Sequence, residues 1–172
     1  HIIGPEKFPL DENRFGFLPV SLEKFLKINY NNVTIKNNKS LLRKNIITLL
    51  RLGTEQSDNK SIIGCIAELD KCIRRYPGKK MTIDEFCHSI VKSVTIDDFI
   101  LYNNGSLMSQ FKTSSKKIPN IDINKYVDSS LYKSLNLKNA VQNDFLKECI
   151  ISFENFRKFI VDPKSVIDHT FI

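Results

Sequence analysis

The sequence predicts a mainly α protein, either helical throughout or α+β through one small β hairpin. Thr82 precedes a run in which apolar residues recur every three or four positions up to Val94, and Asn139 precedes a longer run of this kind that reaches Ile160. This spacing places apolar side chains on one face of a helix, and Thr and Asn are common helix N-caps. Residues 33–35 are β-tolerant within a polar, Asn-rich stretch, which favours a loop or a small hairpin.

The first 20 residues are predicted to form an extended N-terminal arm. Pro5 and Pro9 fix the backbone and prevent a regular helix. We expect the apolar side chains of Phe15, Phe17 and Leu18 to hold this arm against the rest of the chain.

Residues 21–172 are predicted to form a single compact helical domain, because 172 residues with a 41% hydrophobic composition supply one core. The chain begins at His1 rather than Met and stops on an apolar pair, so we expect it to be a fragment of a larger protein. A transmembrane helix needs about 20 consecutive apolar residues, and no run approaches that length, so we expect no membrane partner.

Two segments follow the arm. Ser21 is predicted to cap a short helix in which Leu22, Phe25 and Leu26 face inward. Residues 40–52 fit two alternatives, a helix with its basic side chains outside or a strand over residues 46–51, and Gly53 ends either one.

The remaining elements follow from capping residues, apolar spacing and breakers. In chain order they are a helix over residues 62–74 closed by Pro77-Gly78, a short helix from Thr95 to Leu101, a turn at Asn104-Gly105, a strand or helical turn over residues 107–111, a basic flexible linker over residues 112–117, and a helix from Asp122 or Asn124 to about Leu135.

No pattern predicts catalysis, a metal site or a cofactor. The glycines never cluster as a phosphate-binding loop requires, and the cysteines form no C-x-x-C pair. Cys65 and Cys72 are spaced as on one helix face among isoleucines, which predicts buried, reduced thiols. Cys87 is expected in the core and its neighbour His88 at the surface. Asp97 and Asp98 fit the first turn of a helix better than a metal site.

The charge distribution indicates a functional surface. The chain has 26 basic and 19 acidic residues, a formal net charge of +7, and no acid lies between Glu23 and Glu55. Such a block favours a polyanion or an acidic protein partner, although it also fits a solvated face. The DNA-binding candidates fall into three groups. They are Arg43, Lys44 and Arg51; Arg74, Arg75, Lys79 and Lys80; and Lys112, Lys116 and Lys117. No base-reading motif accompanies them, so contacts should be mainly to phosphates.

A series of phrases adds a resemblance. Ile-Ile-Gly-Pro-Glu-Lys-Phe-Pro-Leu at residues 2–10 and Arg-Phe-Gly-Phe-Leu-Pro at residues 14–19 resemble the stretch after a Pro-Cys-Cys-Phe element in the early transcription factor large subunit family of poxviruses and other large nucleocytoplasmic DNA viruses. The Pro-Cys-Cys-Phe element itself is missing. Phrases at residues 49–53, 61–67, 103–107, 153–156 and 167–170 are similar in order and spacing to the giant-virus branch.

The resemblance implies a non-catalytic module of viral early transcription initiation in the host cytoplasm and virion core. Its implied partners are double-stranded early promoter DNA, a helicase-like ATPase small subunit and the viral RNA polymerase. The alternative is a scaffold that docks the ATPase or polymerase through the strip containing Phe15, Phe17 and Leu18 without touching DNA. A third interpretation, a metal nuclease at Asp97 and Asp98, would require metal-dependent cleavage of DNA.

Overall fold

The computed structural model describes residues 1–74, 80–113 and 121–169, and their fold is mainly α with small β elements, as predicted. The strands are β1 (Phe15–Gly16), β2 (Thr34–Ile35), β3 (Asn38–Leu42) and β4 (Arg51–Leu52). The helices are α1 (Val20–Leu26), α2 (Tyr30–Val33), α3 (Ser61–Arg74), α4 (Ile83–Ser93), α5 (Ile96–Leu101), α6 (Ser106–Gln110), α7 (Ser130–Ser134) and α8 (Ala140–Val161). Single 3-10 turns span Tyr102–Gly105 and Ile123–Tyr126.

The chain divides into two compact units. Unit 1 is His1–Ile83 together with the C-terminal residues from Asp168, and unit 2 is Asp84–Ile167. Residues 1–20 therefore belong to the same unit as the residues that follow them. The predicted domain boundary after residue 20 stays a prediction.

In unit 1 the N-terminal arm joins a small sheet. β1 pairs antiparallel with β4, and Ile3 forms a parallel bridge with Gly16. The Ile3 N–H donates to the Phe15 carbonyl and the Phe17 N–H donates to the Ile3 carbonyl. Gly53 follows β4 where the arm passes closely, because a Cβ there would lie 2.0 Å from the Asp11 carbonyl oxygen.

The predicted hairpin is present, formed by β2 and β3 with Thr34 opposite Leu42 and Ile35 opposite Asn38. Neither alternative for residues 40–52 is correct. β3 ends at Leu42, the backbone turns at Asn45 with a φ of 61°, and pairing resumes only at β4. Pairing of distant strands decides this segment, because apolar periodicity alone would allow a helix.

Helix α1 is rotated relative to the prediction. Leu22, Phe25 and Leu26 are 45%, 80% and 42% exposed, whereas Glu23 is buried. The Glu23 carboxylate accepts the Tyr30 N–H at 2.7 Å, so its burial satisfies a backbone donor at the start of α2. Pro19 occupies the N-cap position, and no side-chain cap such as the one predicted from Ser21 is formed.

Helix α3 spans the predicted residues but buries a different face. Ile63 and Ala67 are in the core beside Gly64, where an added Cβ would lie 2.6 Å from the Glu55 carbonyl oxygen. Cys65 and Cys72 are exposed free thiols, so their predicted burial is wrong. The Glu55 backbone can approach α3 this closely only at Gly64, so the face that carries this glycine is the one that is buried.

The core of unit 2 is aromatic and centres on Phe99, which has no exposed surface. Its ring centroid lies 5.4 Å from that of Phe153 and 5.3 Å from that of Phe156 on α8. Asn139 caps α8 by accepting the N–H groups of Val141 and Gln142, which confirms the predicted start. The buried face runs from Leu146 to Ile160.

Two large apolar residues near the start of the predicted run after Asn139 lie outside the core. Val141 is 78% exposed and Phe145 is 41% exposed. The apolar stripe of α8 is therefore covered only from its second turn onward.

The short elements of unit 2 depend on local capping. Thr95 and Asp98 form a reciprocal capping box at the start of α5, as the Thr95 signal predicted. Residues 107–110 belong to the helix α6 and Phe111 is its C-cap, so the helical alternative for this segment is correct and the strand is not. The helix predicted from Asp122 to Leu135 is split into a 3-10 turn and α7, because the Ser129 side chain starts a new helix by accepting the Tyr132 N–H.

Candidate nucleic-acid interface

The β2–β3 hairpin of unit 1 carries a group of exposed cations. We call Lys36, Lys39, Arg43 and Lys44 the basic hairpin, and all four residues are exposed. Within the described part of the chain, none of them forms an ion pair. The structure thus brings together two predicted site residues, Arg43 and Lys44, with two further lysines. Lys36 and Lys39 were not among the predicted DNA contacts, although they lie in the same acid-free block.

Arg43 is fixed at the base of this hairpin. Its Nε donates to the Thr34 carbonyl at 2.8 Å, and its backbone N–H donates to the Val33 carbonyl at 2.9 Å. No described residue accepts from its two terminal nitrogens. The side chain is oriented by the protein and still presents two nitrogens with the planar geometry that suits a phosphate.

Arg51 has a different environment. Its guanidinium donates to the carbonyls of Phe17 at 2.6 Å, Gly4 at 3.0 Å, Lys7 at 3.2 Å and Pro5 at 3.4 Å. Burial lowers the pKa of Arg51 below its ordinary value. All three guanidinium nitrogens therefore bind backbone carbonyls of the N-terminal arm, and the geometry does not favour the predicted phosphate contact.

Lys80 also binds within unit 1. Its Nζ lies 2.8 Å from Glu12 and 3.7 Å from Glu68, and its side chain is only 12% exposed. Burial by itself lowers the pKa of Lys80, but the hydrogen bond to Glu12 and the charges of Glu12, Glu68 and Glu55 outweigh it, so the net pKa is raised. Lys80 lines an open cavity of about 430 Å³ beside Glu12 and Glu55, where its charge is already compensated.

The other predicted DNA contacts are less informative. Lys112 forms an exposed ion pair with Glu148 at 3.0 Å in unit 2. Arg75, Lys79, Lys116 and Lys117 lie outside the described residues, as does the side chain of Arg74, whose backbone ends α3. Their predicted DNA contacts stay predictions.

The predicted docking strip is largely internal. Phe17 is 3% exposed and Leu18 is 8% exposed, and the Phe17 ring packs against Tyr30 with centroids 5.1 Å apart. Their side chains are therefore not available to a partner in this conformation, because they form part of the core. Of the three predicted residues only Phe15, at 51%, is accessible.

Asp97 and Asp98 serve as helix caps. Asp97 accepts the N–H groups of Ser130 and Leu131 at the start of α7. Hydrogen bonds from the Thr95 hydroxyl and backbone lower the pKa of Asp98. Among the described residues, no three His, Cys, Asp or Glu side chains are placed to share a metal ion.

Cys87 and His88 lie where the sequence predicted them. Cys87 is buried, and the His88 side chain is 62% exposed beside Asp84. Over the parts of the chain that the structure describes, no helix combines the length and hydrophobicity required to cross a membrane.

Comparison with known proteins gives one viral similarity. The chain is 26% identical over 146 residues to an uncharacterized protein of Acanthamoeba polyphaga mimivirus, and the match covers 83% of this chain and 9% of that protein. The chain thus spans less than a tenth of the relative's length. No family model and no solved structure matches.

Proposed function

We propose that the chain is a DNA-binding module of a viral early transcription initiation factor, and that the basic hairpin contacts the phosphates of duplex promoter DNA. The observation that carries the proposal is the group of four exposed cations on one short hairpin without an acidic partner among the described residues. Cations that are already paired gain little from a phosphate, whereas unpaired cations release the counterions of the DNA when they bind.

The viral setting is supported by the similarity to a mimivirus protein and by the phrases that resemble the early transcription factor large subunit. The proposed partners, a helicase-like ATPase subunit and the viral RNA polymerase, rest on that resemblance alone. The proposal assigns the chain no catalytic residue and no cofactor, and it places the module in the host cytoplasm and the virion core.

The hairpin should bind DNA with little sequence preference. Lysine ammonium groups contact phosphates as point charges, and the oriented Arg43 can form a paired contact with one phosphate. A hairpin as short as β2–β3 supplies backbone contacts rather than base readout. Promoter selectivity would then come from other parts of the factor.

The test is binding of labelled duplex DNA, with and without an early promoter sequence, over a series of salt concentrations. The variant Lys36→Glu, Lys39→Glu, Lys44→Glu removes three cations and leaves the hydrogen bonds of Arg43 in place. The matched control is Lys92→Glu, Lys138→Glu, Lys164→Glu, at three exposed lysines of unit 2. Each reversal changes the charge by two, so both variants fall from +7 to +1 (7 − 6) and differ only in where the charge is lost.

We expect the native chain to lose affinity steeply as salt rises, with a slope of about −0.9 for each phosphate contacted. The hairpin variant should lower the magnitude of that slope by about 3 and the control variant much less. Equal losses in the two variants would mean that only net charge matters. No binding by the folded native chain at low salt would eliminate the proposal.

A second candidate function, protein docking, is favoured by the exposed apolar face of α1. Leu22, Phe25 and Leu26 lie at helical spacing on the surface, and the exposed Lys24 and Lys27 flank them. Apolar side chains at this spacing with a basic rim suit an acidic amphipathic helix of the ATPase subunit or polymerase. This surface replaces the largely buried strip as the candidate docking site.

The two candidates are separated by Phe25→Asp. We expect this variant to bind duplex DNA as the native chain does and, if α1 docks a protein, to lose binding to the purified ATPase subunit or polymerase. That binding should depend on salt less steeply than DNA binding does, because salt screens the contacts of the basic rim but hardly affects the apolar contacts. Retention of protein binding by Phe25→Asp would remove α1 as the docking surface.

A further inference from the structure

Unit 2 contains a small pocket between the 3-10 turn Ile123–Tyr126 and helix α8. Its volume is about 240 Å³, which is below the roughly 300 to 1,000 Å³ of pockets that enclose drug-sized molecules and suits one ring system. The apolar part of the lining comes from Ile121, Ile150 and Ile151, with the phenol of Tyr126. The polar part comes from Asp122, Lys125, Glu154, Asn155 and Lys158.

A fixed carboxylate lies in this lining. The Tyr126 hydroxyl donates to Oε1 of Glu154, and the Arg157 guanidinium lies 3.2 Å from the same oxygen. The second oxygen, Oε2, has no donor among the described residues. Burial, followed by the bond to Glu154, raises the pKa of Tyr126, so the phenol stays a protonated donor. The pocket therefore offers a planar aromatic side chain together with one oriented, unused acceptor.

Two lysines border the same space. Lys125 on the 3-10 turn and Lys158 on α8 are both exposed, and within the described residues neither ammonium group has an ion-pair partner. Asp122 opposes them with one negative charge, although one of its oxygens already accepts the Asn124 N–H. The lining therefore holds two lysines and two carboxylates, but the Glu154 charge is paired with Arg157 and Asp122 is partly engaged, so the rim near the lysines is favourable to an anion.

Asn155 fixes the neighbouring chain. Its side-chain amide donates to the Phe111 carbonyl at 3.0 Å and to the Thr113 hydroxyl at 2.9 Å. Both amide hydrogens are used in these bonds. These bonds tie α8 to residues 111–113. The wall that α8 forms is therefore ordered before any ligand arrives, which lowers the entropy lost on binding.

We propose that this pocket binds one nucleotide, with an amino-bearing base beside Glu154 and its phosphate at Lys125 and Lys158. Adenine, cytosine and guanine each present an exocyclic amino group that can donate to a carboxylate oxygen. Uracil has no amino group. Its ring N–H lies between two carbonyl oxygens, and these oxygens are repelled by a carboxylate. The pocket belongs to unit 2 and the basic hairpin to unit 1. The nucleotide is either free or part of a single strand.

The test is titration of the chain with AMP, CMP, UMP, adenosine and ribose 5-phosphate, followed by amide NMR signals. We expect AMP and CMP to shift the signals of residues 121–126 and 150–158 and to bind at least about tenfold more tightly than UMP, since one hydrogen bond to a charged group is worth that much. Ribose 5-phosphate should bind far more weakly than AMP, because the base supplies the buried contacts.

Two variants test the contacts of the base and of the phosphate separately. Lys125→Ala with Lys158→Ala should weaken AMP binding about tenfold and leave adenosine binding unchanged. Glu154→Gln should reduce the preference for AMP over UMP. Because Glu154→Gln also alters the bond from Tyr126, Tyr126→Phe provides the comparison, and it should retain the base preference.

Binding of a single-stranded trinucleotide, compared with binding of AMP, shows whether the pocket takes a free nucleotide or part of a strand. Tighter binding than AMP assigns the pocket to a strand, and equal binding assigns it to a free nucleotide. The proposal is overturned if UMP or ribose 5-phosphate binds as tightly as AMP, or if the shifted signals lie outside the pocket. The variant with three reversed hairpin lysines should bind AMP normally, so the outcome is independent of DNA binding by the hairpin.

Discussion

Arg51 and the basic hairpin come from the same acid-free block of sequence, yet their cations have opposite environments. The Arg51 guanidinium donates to four backbone carbonyls, whereas the lysines at positions 36, 39 and 44 have no ion-pair partner in the described residues. The difference teaches that a run of positive charge contains both cations whose donors the fold already uses and cations that remain available to a ligand. Only the acceptors that surround each side chain in the fold distinguish the two kinds.

The most disruptive change should be at Gly53, which directly follows β4. Gly53→Ala places a Cβ 2.0 Å from the Asp11 carbonyl oxygen, so either β4 or the arm must move, and we expect a loss of about 3 kcal/mol in the free energy of unfolding. Urea unfolding followed by the NMR signals of unit 1 measures this. Gly4→Ala is the control and should be nearly neutral, because among the described residues, its two chain neighbours aside, no heavy atom lies within 4 Å of its added Cβ.

Removing the structural cation should cost slightly less. Arg51→Ala removes four side-chain hydrogen bonds to backbone carbonyls, and we expect the free energy of unfolding of unit 1 to fall by about 2 to 3 kcal/mol. Arg43→Ala loses a single side-chain hydrogen bond and should cost about 1 kcal/mol. Equal costs for the two variants would mean that Arg51 is no more structural than Arg43.

A pH-dependent contribution to stability should distinguish Lys80 from the lysines of the basic hairpin. Its folded pKa is raised above the unfolded value, so its stabilising contribution is complete below the unfolded pKa and is lost as the pH rises through the folded pKa. We expect the native chain to lose stability between neutral and strongly alkaline pH by more than Lys80→Met does. Parallel curves for the two proteins in thermal unfolding across that range would show that Lys80 contributes no such dependence.

The smallest effect on stability is expected at the basic hairpin. Lys36→Glu, Lys39→Glu, Lys44→Glu changes exposed side chains without ion-pair partners among the described residues, so its free energy of unfolding should stay within about 0.5 kcal/mol of the native value. Equilibrium urea unfolding checks this. A loss comparable to that of Arg51→Ala would indicate that these lysines are structural, and any loss of DNA binding would then follow from unfolding.

Local signals predicted the helices well. The caps at Thr95 and Asn139 and the apolar spacing of α4 and α8 act between residues that are close in sequence, and each of these helices is present. The orientation of α1 could not be predicted in this way. Burial of Glu23 depends on the Tyr30 N–H, which exists as a free donor only once α2 has formed.

The candidate site was predicted only in part for a similar reason. Composition located the acid-free block, and the β-tolerant residues 33–35 indicated the hairpin that presents it. The carbonyls that accept hydrogen bonds from Arg51 lie 34 to 47 positions away in the chain. Apolar periodicity gives no information about contacts at that separation. The pocket of unit 2 likewise joins residues about 30 positions apart whose types, taken singly, indicate no ligand.

The contacts of Arg51 also determine how a protease meets the N-terminal arm. Lys7 is a trypsin site with a side chain that is 59% exposed, but its carbonyl accepts from Arg51, and a protease must extract that peptide bond into its own active site. Cleavage after Lys7 then proceeds only from molecules in which the arm has opened, so its rate reports the equilibrium of opening. The rate of cleavage after Lys7 therefore measures how often the N-terminal arm detaches from Arg51.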